Sequence, residues 1–135
     1  MLFVDTTVWS LALRRDTVPD CREVSELKHV LANGQPIATT GSVLQELLQG
    51  FSGPKAAETI IERFRSIPVV TPTRQDHIDA ATLRNRCRRS GVQAGTIDVL
   101  IAQLCLRHQL TLLTTDGDFK HIARVVGELR LWGKE

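Results

Sequence analysis

Five acidic side chains could do chemistry in this chain: Asp5, Glu46, Asp98, Asp116 and Asp118. Asp5 closes the apolar run of "MLFVD", and Asp116 and Asp118 bracket a glycine just after the apolar run of "LTLLTTDGDF". Each has an ordinary alternative. Asp5 could cap the helix that follows it. Glu46 could be a solvated residue beside the apolar stripe of Leu44, Leu47, Leu48 and Phe51. Asp98 could answer the positive end of its helix, and Asp116 and Asp118 could be turn formers. As a group they point further. Carboxylates that gather closely repel one another, and one must hold a proton unless a cation lies among them. Oxygen donors without Cys or His suit a hard cation, Mg2+ with Mn2+ as a substitute. An ion of that kind activates water and offsets negative charge beside it. Thr115 could lend a hydroxyl to that shell, or could simply be a residue of strand propensity.

Presenting these acids requires elements that alternate. "MLFVD" reads as a short buried strand, with helical spacing at once in "TTVWSLALRR". Val24, Leu27, Val30 and Leu31 recur at helical intervals before the Asn33-Gly34 stop, and "PIATT" reads as a second strand. Ser42 with Gln45 predicts a capping box for the next helix, and Pro54 suits the first position of the one after. "IPVVTP" predicts a brief strand between prolines. Two helices follow, one ending at Gly91 and one in "TIDVLIAQLCLRHQ", before the strand at 110–114 and a short helix near "DFKHIARVV". Strands alternating with helices predict α/β architecture with a mostly parallel sheet covered by helices. In such sheets ligands collect at the carboxyl ends of strands. The five acids lie at or just beyond such ends, or at the start of the helix leading into one.

Composition narrows the classes. The 135 residues predict a single domain, residues 1–135, with 17 Lys and Arg against 15 Asp and Glu, a balance too mild to name a partner. Two Trp, four Phe and no Tyr argue against an aromatic base-stacking platform, so a nucleic acid would be held chiefly through its phosphates. Cys21, Cys87 and Cys105 are odd in number, widely spaced and not near histidines at zinc-ligand intervals, which predicts reduced thiols in a cytoplasm. No stretch has transmembrane length and no membrane association is expected. "RNRCRRSG" carries Arg84, Arg86, Arg88 and Arg89. Arg88 and Arg89 are candidates for phosphate contact, with a solvated helix face as the plainer reading. Trp9, Leu11, Leu13, Leu47, Leu48 and Phe51 read chiefly as core, with some left to line a groove for a partner's amphipathic segment.

The blocks "MLFVDTTVWS", "VLQELLQG", "TIDVLIAQLCLRHQLTLLTTDGDF" and the closing "LW" resemble the PIN-domain ribonucleases, specifically VapC-type toxins of toxin–antitoxin pairs. By position, the resemblance implies that Asp5, Glu46, Asp98 and Asp116 are the catalytic acids. It also implies metal ligation by Asp5, Asp98, Asp116 and Asp118, and support from Thr115. Thr7 departs from the Asn or Ser often found there, and residues 52–94 carry little of the family's pattern. The family implies a three-layer α/β/α sandwich, a homodimer, Mg2+-dependent endonucleolytic cleavage of RNA, and silencing by a VapB-like antitoxin. A PIN-like module that binds RNA or protein without turnover is the rival from another class. A phosphatase of the haloacid dehalogenase kind is disfavoured, because it needs a second Asp where this chain has Thr7.

Overall fold

The computed structural model describes residues 1–14 and 20–134. By their contacts these fall into two compact units, Met1–Thr71 and Pro72–Glu135, and each has its own set of elements. The expected end of the first helix at Arg15 lies outside the described residues.

The first unit runs β1 (Leu2–Val4), α1 (Thr6–Leu13), α2 (Arg22–Ala32), β2 (Ile37–Ala38), α3 (Gly41–Gly50) and α4 (Pro54–Phe64). β1 and β2 pair in parallel, with Leu2 opposite Ile37 and Phe3 opposite Ala38. Their residues are apolar throughout because helices leave no solvated face, as parallel sheets require. α1 packs on α2 and α3, and α3 on α4. Phe3, Val4, Val8, Trp9, Leu27, Val43 and Leu47 form the core beneath them, each at most 2% exposed. The expected strand in "IPVVTP" shrinks to a single parallel bridge, Thr39 to Val69, closed by Thr39 N–H to Pro68 O (3.0 Å) and Val70 N–H to Thr39 O (2.8 Å). Pro68 and Pro72 have no N–H to extend the ladder. The capping box on Ser42 and Gln45 does not form either. Thr40 keeps extended backbone after β2, so it becomes the N-cap and its hydroxyl accepts from Val43 N–H. Gln45 instead donates to Gln49.

The second unit runs α5 (Arg74–Arg89), α6 (Thr96–His108), β3 (Thr111–Leu113) and α7 (Asp118–Val125). α6 packs on α5, α7 and β3. Its Val99, Ile101, Ala102, Leu104 and Cys105 are buried, which accounts for the nearly all-round apolar character of "TIDVLIAQLCL". Gln109 takes the left-handed conformation at φ 54° to end α6, a place where glycine is the commoner residue. β3 bridges in parallel to Leu131, so the "LRLW" segment returns beside it. Cys21, Cys87 and Cys105 form no disulfide. Desolvation by burial pushes the Cys87 thiol up despite the opposing charge of Arg86, which suits an inert core thiol.

α5 has a capping box that the sequence reading did not single out. Thr73 Oγ1 accepts from Asp76 N–H, and Asp76 Oδ2 accepts from Thr73 N–H at 2.8 Å. Asp76 is fully buried, and its Oδ1 lies 2.8 Å from Arg107 Nε, tying the start of α5 to the last turn of α6. Desolvation by burial raises the Asp76 carboxyl, but the Thr73 and Arg107 bonds together outweigh it and hold the group below its ordinary 3.8. Its stabilising effect is therefore present above that pH and is lost as pH falls through the lowered folded value. Asp76→Ala should cost about 2–3 kcal/mol at neutral pH, as a lost cap and a lost charged hydrogen bond together imply. Thermal melts from pH 2 to 7 should show a flatter acid limb in the variant than in the wild type.

Candidate active site

In the first unit Asp5 sits where β1 ends, and Glu46 lies in the helix that follows β2. β1 delivers Asp5 to the start of α1, and the parallel β2 delivers the chain through Thr39 and Thr40 into α3, which carries Glu46. Asp5 occupies the N-cap position of α1, yet its side chain makes no cap hydrogen bond. The capping role that was open for it is thus not the one it plays. It is buried, 6% exposed, and its Oδ2 accepts from Thr7 Oγ1 at 3.0 Å. The threonine that departs from the family's usual Asn or Ser nonetheless supplies the hydrogen bond. Burying a carboxylate is costly without such partners, and the Thr7 hydroxyl supplies one.

Glu46 is exposed as a residue, but its carboxyl is raised above the ordinary 4.5, first by desolvation and then by the negative charge of Asp5. The two acids are therefore electrostatic neighbours. A carboxyl raised in the folded state leaves stability intact below pH 4.5, and that stability is lost as pH rises through the folded value. Glu46→Gln should accordingly raise the melting temperature at pH 7 in chelator, with no difference at pH 4. Asp5→Asn should move the Glu46 titration, followed by carboxyl NMR, downward.

In the second unit Asp98, Asp116 and Asp118 come together. Each offers a carboxylate oxygen, and these oxygens all lie within 4.8 Å of one another. Asp98 stands in the first turn of α6, and a Cβ placed on Gly95 would lie 3.5 Å from its Oδ2, so the carboxylate folds back over the helix N-terminus. Asp116 follows β3, and Asp118 opens α7. Asp116 Oδ1 accepts from Asp118 N–H at 2.9 Å, and Asp116 N–H donates to Thr114 Oγ1 at 3.0 Å. The DGD segment is thus a turn, as its composition suggests, and the same turn aims its carboxylates. The positive ends of α6 and α7 both face the cluster and offset part of its repulsion. Thr115 is exposed beside it, while Thr114, which the sequence reading passed over, is the hydroxyl that fixes the Asp116 backbone. The signal for Thr114 was present as a Thr two residues before the Asp, a common local hydrogen-bonding pattern.

The four arginines of "RNRCRRSG" divide. Arg84 Nε donates to Ala94 O at 2.9 Å and Arg86 Nη2 to Val125 O at 2.8 Å, so these two tie the loop before α6 and the end of α7 to α5. Arg88 and Arg89 are exposed. Of the candidate groove residues, Trp9 and Leu47 are core, and Leu11, Leu13, Leu48 and Phe51 stay partly exposed.

β1 ends at the buried Asp5, and three carboxylates gather where α6 and α7 begin, a donor set able to accept a divalent ion. The chain belongs to the PIN domain family: residues 2–125 match that domain, and the α/β class expected from the sequence is the family's own. PIN domains are generally nucleases. Among solved structures, the chain is similar to VapBC2 from Rickettsia felis bound to a DNA fragment from their promoter, at 25% identity and TM-score 0.72, covering 97% of each chain. It shares its fold with FitAcB from Neisseria gonorrhoeae, at 21% identity and TM-score 0.70, over 98% of this chain and 97% of that one. The fold is also shared with VapBC-1 from nontypeable Haemophilus influenzae, at 18% identity and TM-score 0.72, over 99% of this chain and 100% of that one. No curated protein matches the sequence. No helix among the described residues is long and apolar enough to cross a membrane.

Proposed function

We propose that this chain is the toxin of a toxin–antitoxin pair and acts as a Mg2+-dependent endoribonuclease. The observation that carries the reading is the Asp98, Asp116 and Asp118 cluster in a PIN-family chain. The donor set fits the ion: three carboxylates, oxygen only, with no Cys or His among them, suit Mg2+ or Mn2+. Asp98, Asp116 and Asp118 would hold the ion, with Thr115 orienting water beside them, and the likeness to the family names Asp5 as a further ligand. When bound, a divalent ion supplies a nucleophilic water at neutral pH and offsets charge on the phosphate.

The remaining work falls to the chain. Thr7 fixes the Asp5 carboxylate in one orientation. Glu46, its affinity for a proton raised by desolvation and by Asp5, takes a proton from water at its carboxylate oxygen. Hydrolysis of this kind leaves 5′-phosphate ends, because the 2′-hydroxyl takes no part. Similarity to VapBC2, a VapBC complex, supports a VapB-like antitoxin as partner. The partly exposed Leu11, Leu13, Leu48 and Phe51 would receive its amphipathic segment. The protein works in the cytoplasm as a single-domain homodimer, and Arg88 and Arg89 contact RNA phosphates. The test is cleavage of a fluorescent RNA with and without Mg2+, with a chelator control. Mg2+-dependent cuts with 5′-phosphate ends are expected, and RNA binding without turnover would favour a non-catalytic module.

A further inference from the structure

The second unit carries two cavities away from the acidic cluster, and Arg124 lines both. The larger, about 790 Å3, is walled by Lys120, Arg124, Arg130 and Lys134, with Leu131 and Trp132 forming its apolar side. The smaller, about 520 Å3, is walled by Arg86, Arg124 and the Ser90–Val92 turn. Neither cavity is lined by an acidic residue, although the whole chain carries almost as many acids as bases. That segregation is a charge pattern suited to a polyanion.

We propose that these cavities form one track for single-stranded RNA, holding the substrate strand at a distance from the cut; the proposal rests on the ribonuclease reading above. Two observations single out a nucleic-acid strand. Lys120 and Arg124 are four residues apart on α7, so they share a face with about 5–6 Å between Cβ atoms, near the spacing of adjacent phosphates along a strand. The same helix opens with Asp118 of the acidic cluster, but Lys120 and Arg124 lie about 200° and 240° round from it, so the track occupies a different face of α7. Trp132, half-buried, adds an indole beside these cations, and a base can stack on such a ring. Arg86 carries the track to the end of α5, where Arg88 and Arg89 are exposed. An acidic protein segment would satisfy the charges but gives no reason for their phosphate-like spacing beside an indole.

The experiment measures anisotropy of a 5′-labelled single-stranded RNA with wild-type protein and with Lys120→Gln/Arg130→Gln/Lys134→Gln in EDTA, which prevents cleavage. All three side chains are exposed, so the fold is retained, as circular dichroism will show. The triple variant should bind at least about tenfold more weakly at low salt, and its salt dependence should be shallower by about 2, three single-strand contacts at about 0.7 each. RNA should also alter the tryptophan fluorescence of the wild type and not of Trp132→Phe, because the other tryptophan, Trp9, is buried. Equal affinity and equal salt slope in the triple variant would overturn the track, as would no RNA binding by the wild type in EDTA. Retained RNA binding with lost binding of a poly-glutamate peptide would overturn it in favour of an acidic protein segment. Mg2+-dependent cleavage by the wild type, assayed in parallel, tells failure of the track from failure of the ribonuclease reading.

Discussion

Asp98→Asn should abolish Mg2+-dependent RNA cleavage, lowering the rate about 10²- to 10⁴-fold, while leaving the metal-free protein as stable as the wild type or more so. Both halves come from one geometry. The carboxylates of Asp98, Asp116 and Asp118 crowd within 4.8 Å, and removing one charge relieves repulsion that helix N-termini offset only in part. The same removal takes away a ligand, and metal-ion catalysis is worth several kcal/mol of transition-state stabilisation, about a factor of ten in rate per 1.36 kcal/mol. Melting with and without Mg2+ gives a readout independent of activity. Saturation to 100 times Kd stabilises a folded protein by about 2.7 kcal/mol, so the wild type should gain several degrees that Asp98→Asn does not. Retained cleavage in the variant would remove Asp98 from the mechanism. A marked drop in its metal-free melting temperature would make the residue a structural feature of α6 instead.

Trp9→Ala should cost about 3–5 kcal/mol, the range for truncating a buried large aromatic, and would consume much of the 5–15 kcal/mol by which a domain of this size is folded. Trp9 is 1% exposed and packs on Phe64, with ring centroids 4.9 Å apart at 49°. Its indole N–H is buried without a hydrogen-bond partner among the described residues. Trp9→Phe therefore removes an unsatisfied donor along with part of the ring, and should cost far less than Trp9→Ala. Urea unfolding of the two variants tests the difference. Comparable losses would mean that the indole N–H is bonded in solution.

The alternation of elements was legible because strand and helix signals are local. "MLFV" and "LTLL" are too short and too apolar for amphipathic helices, and the spacing of Val24, Leu27, Val30 and Leu31 fits nothing but a helix. The caps were less legible. Thr40 rather than Ser42 begins α3, because the choice depends on where β2 stops pairing, and Thr73 with Asp76 caps α5 in a sequence that offers several candidates. "IPVVTP" has strand residues but lacks the N–H groups that would let it extend beyond one bridge.

The sequence by itself determined which acids exist and that most of them follow apolar runs, since the chemistry of a residue and the local period around it need no fold. Only tertiary structure decided which of them meet. Asp98 and Asp116 lie at opposite ends of the α6–β3 stretch, and they come together because α6 packs back on β3 and α7. It also decided that Arg84 and Arg86 tie a loop and the end of α7 to α5 while Arg88 and Arg89 stay in solvent. Such choices turn on contacts between residues distant in the chain, which no local pattern encodes.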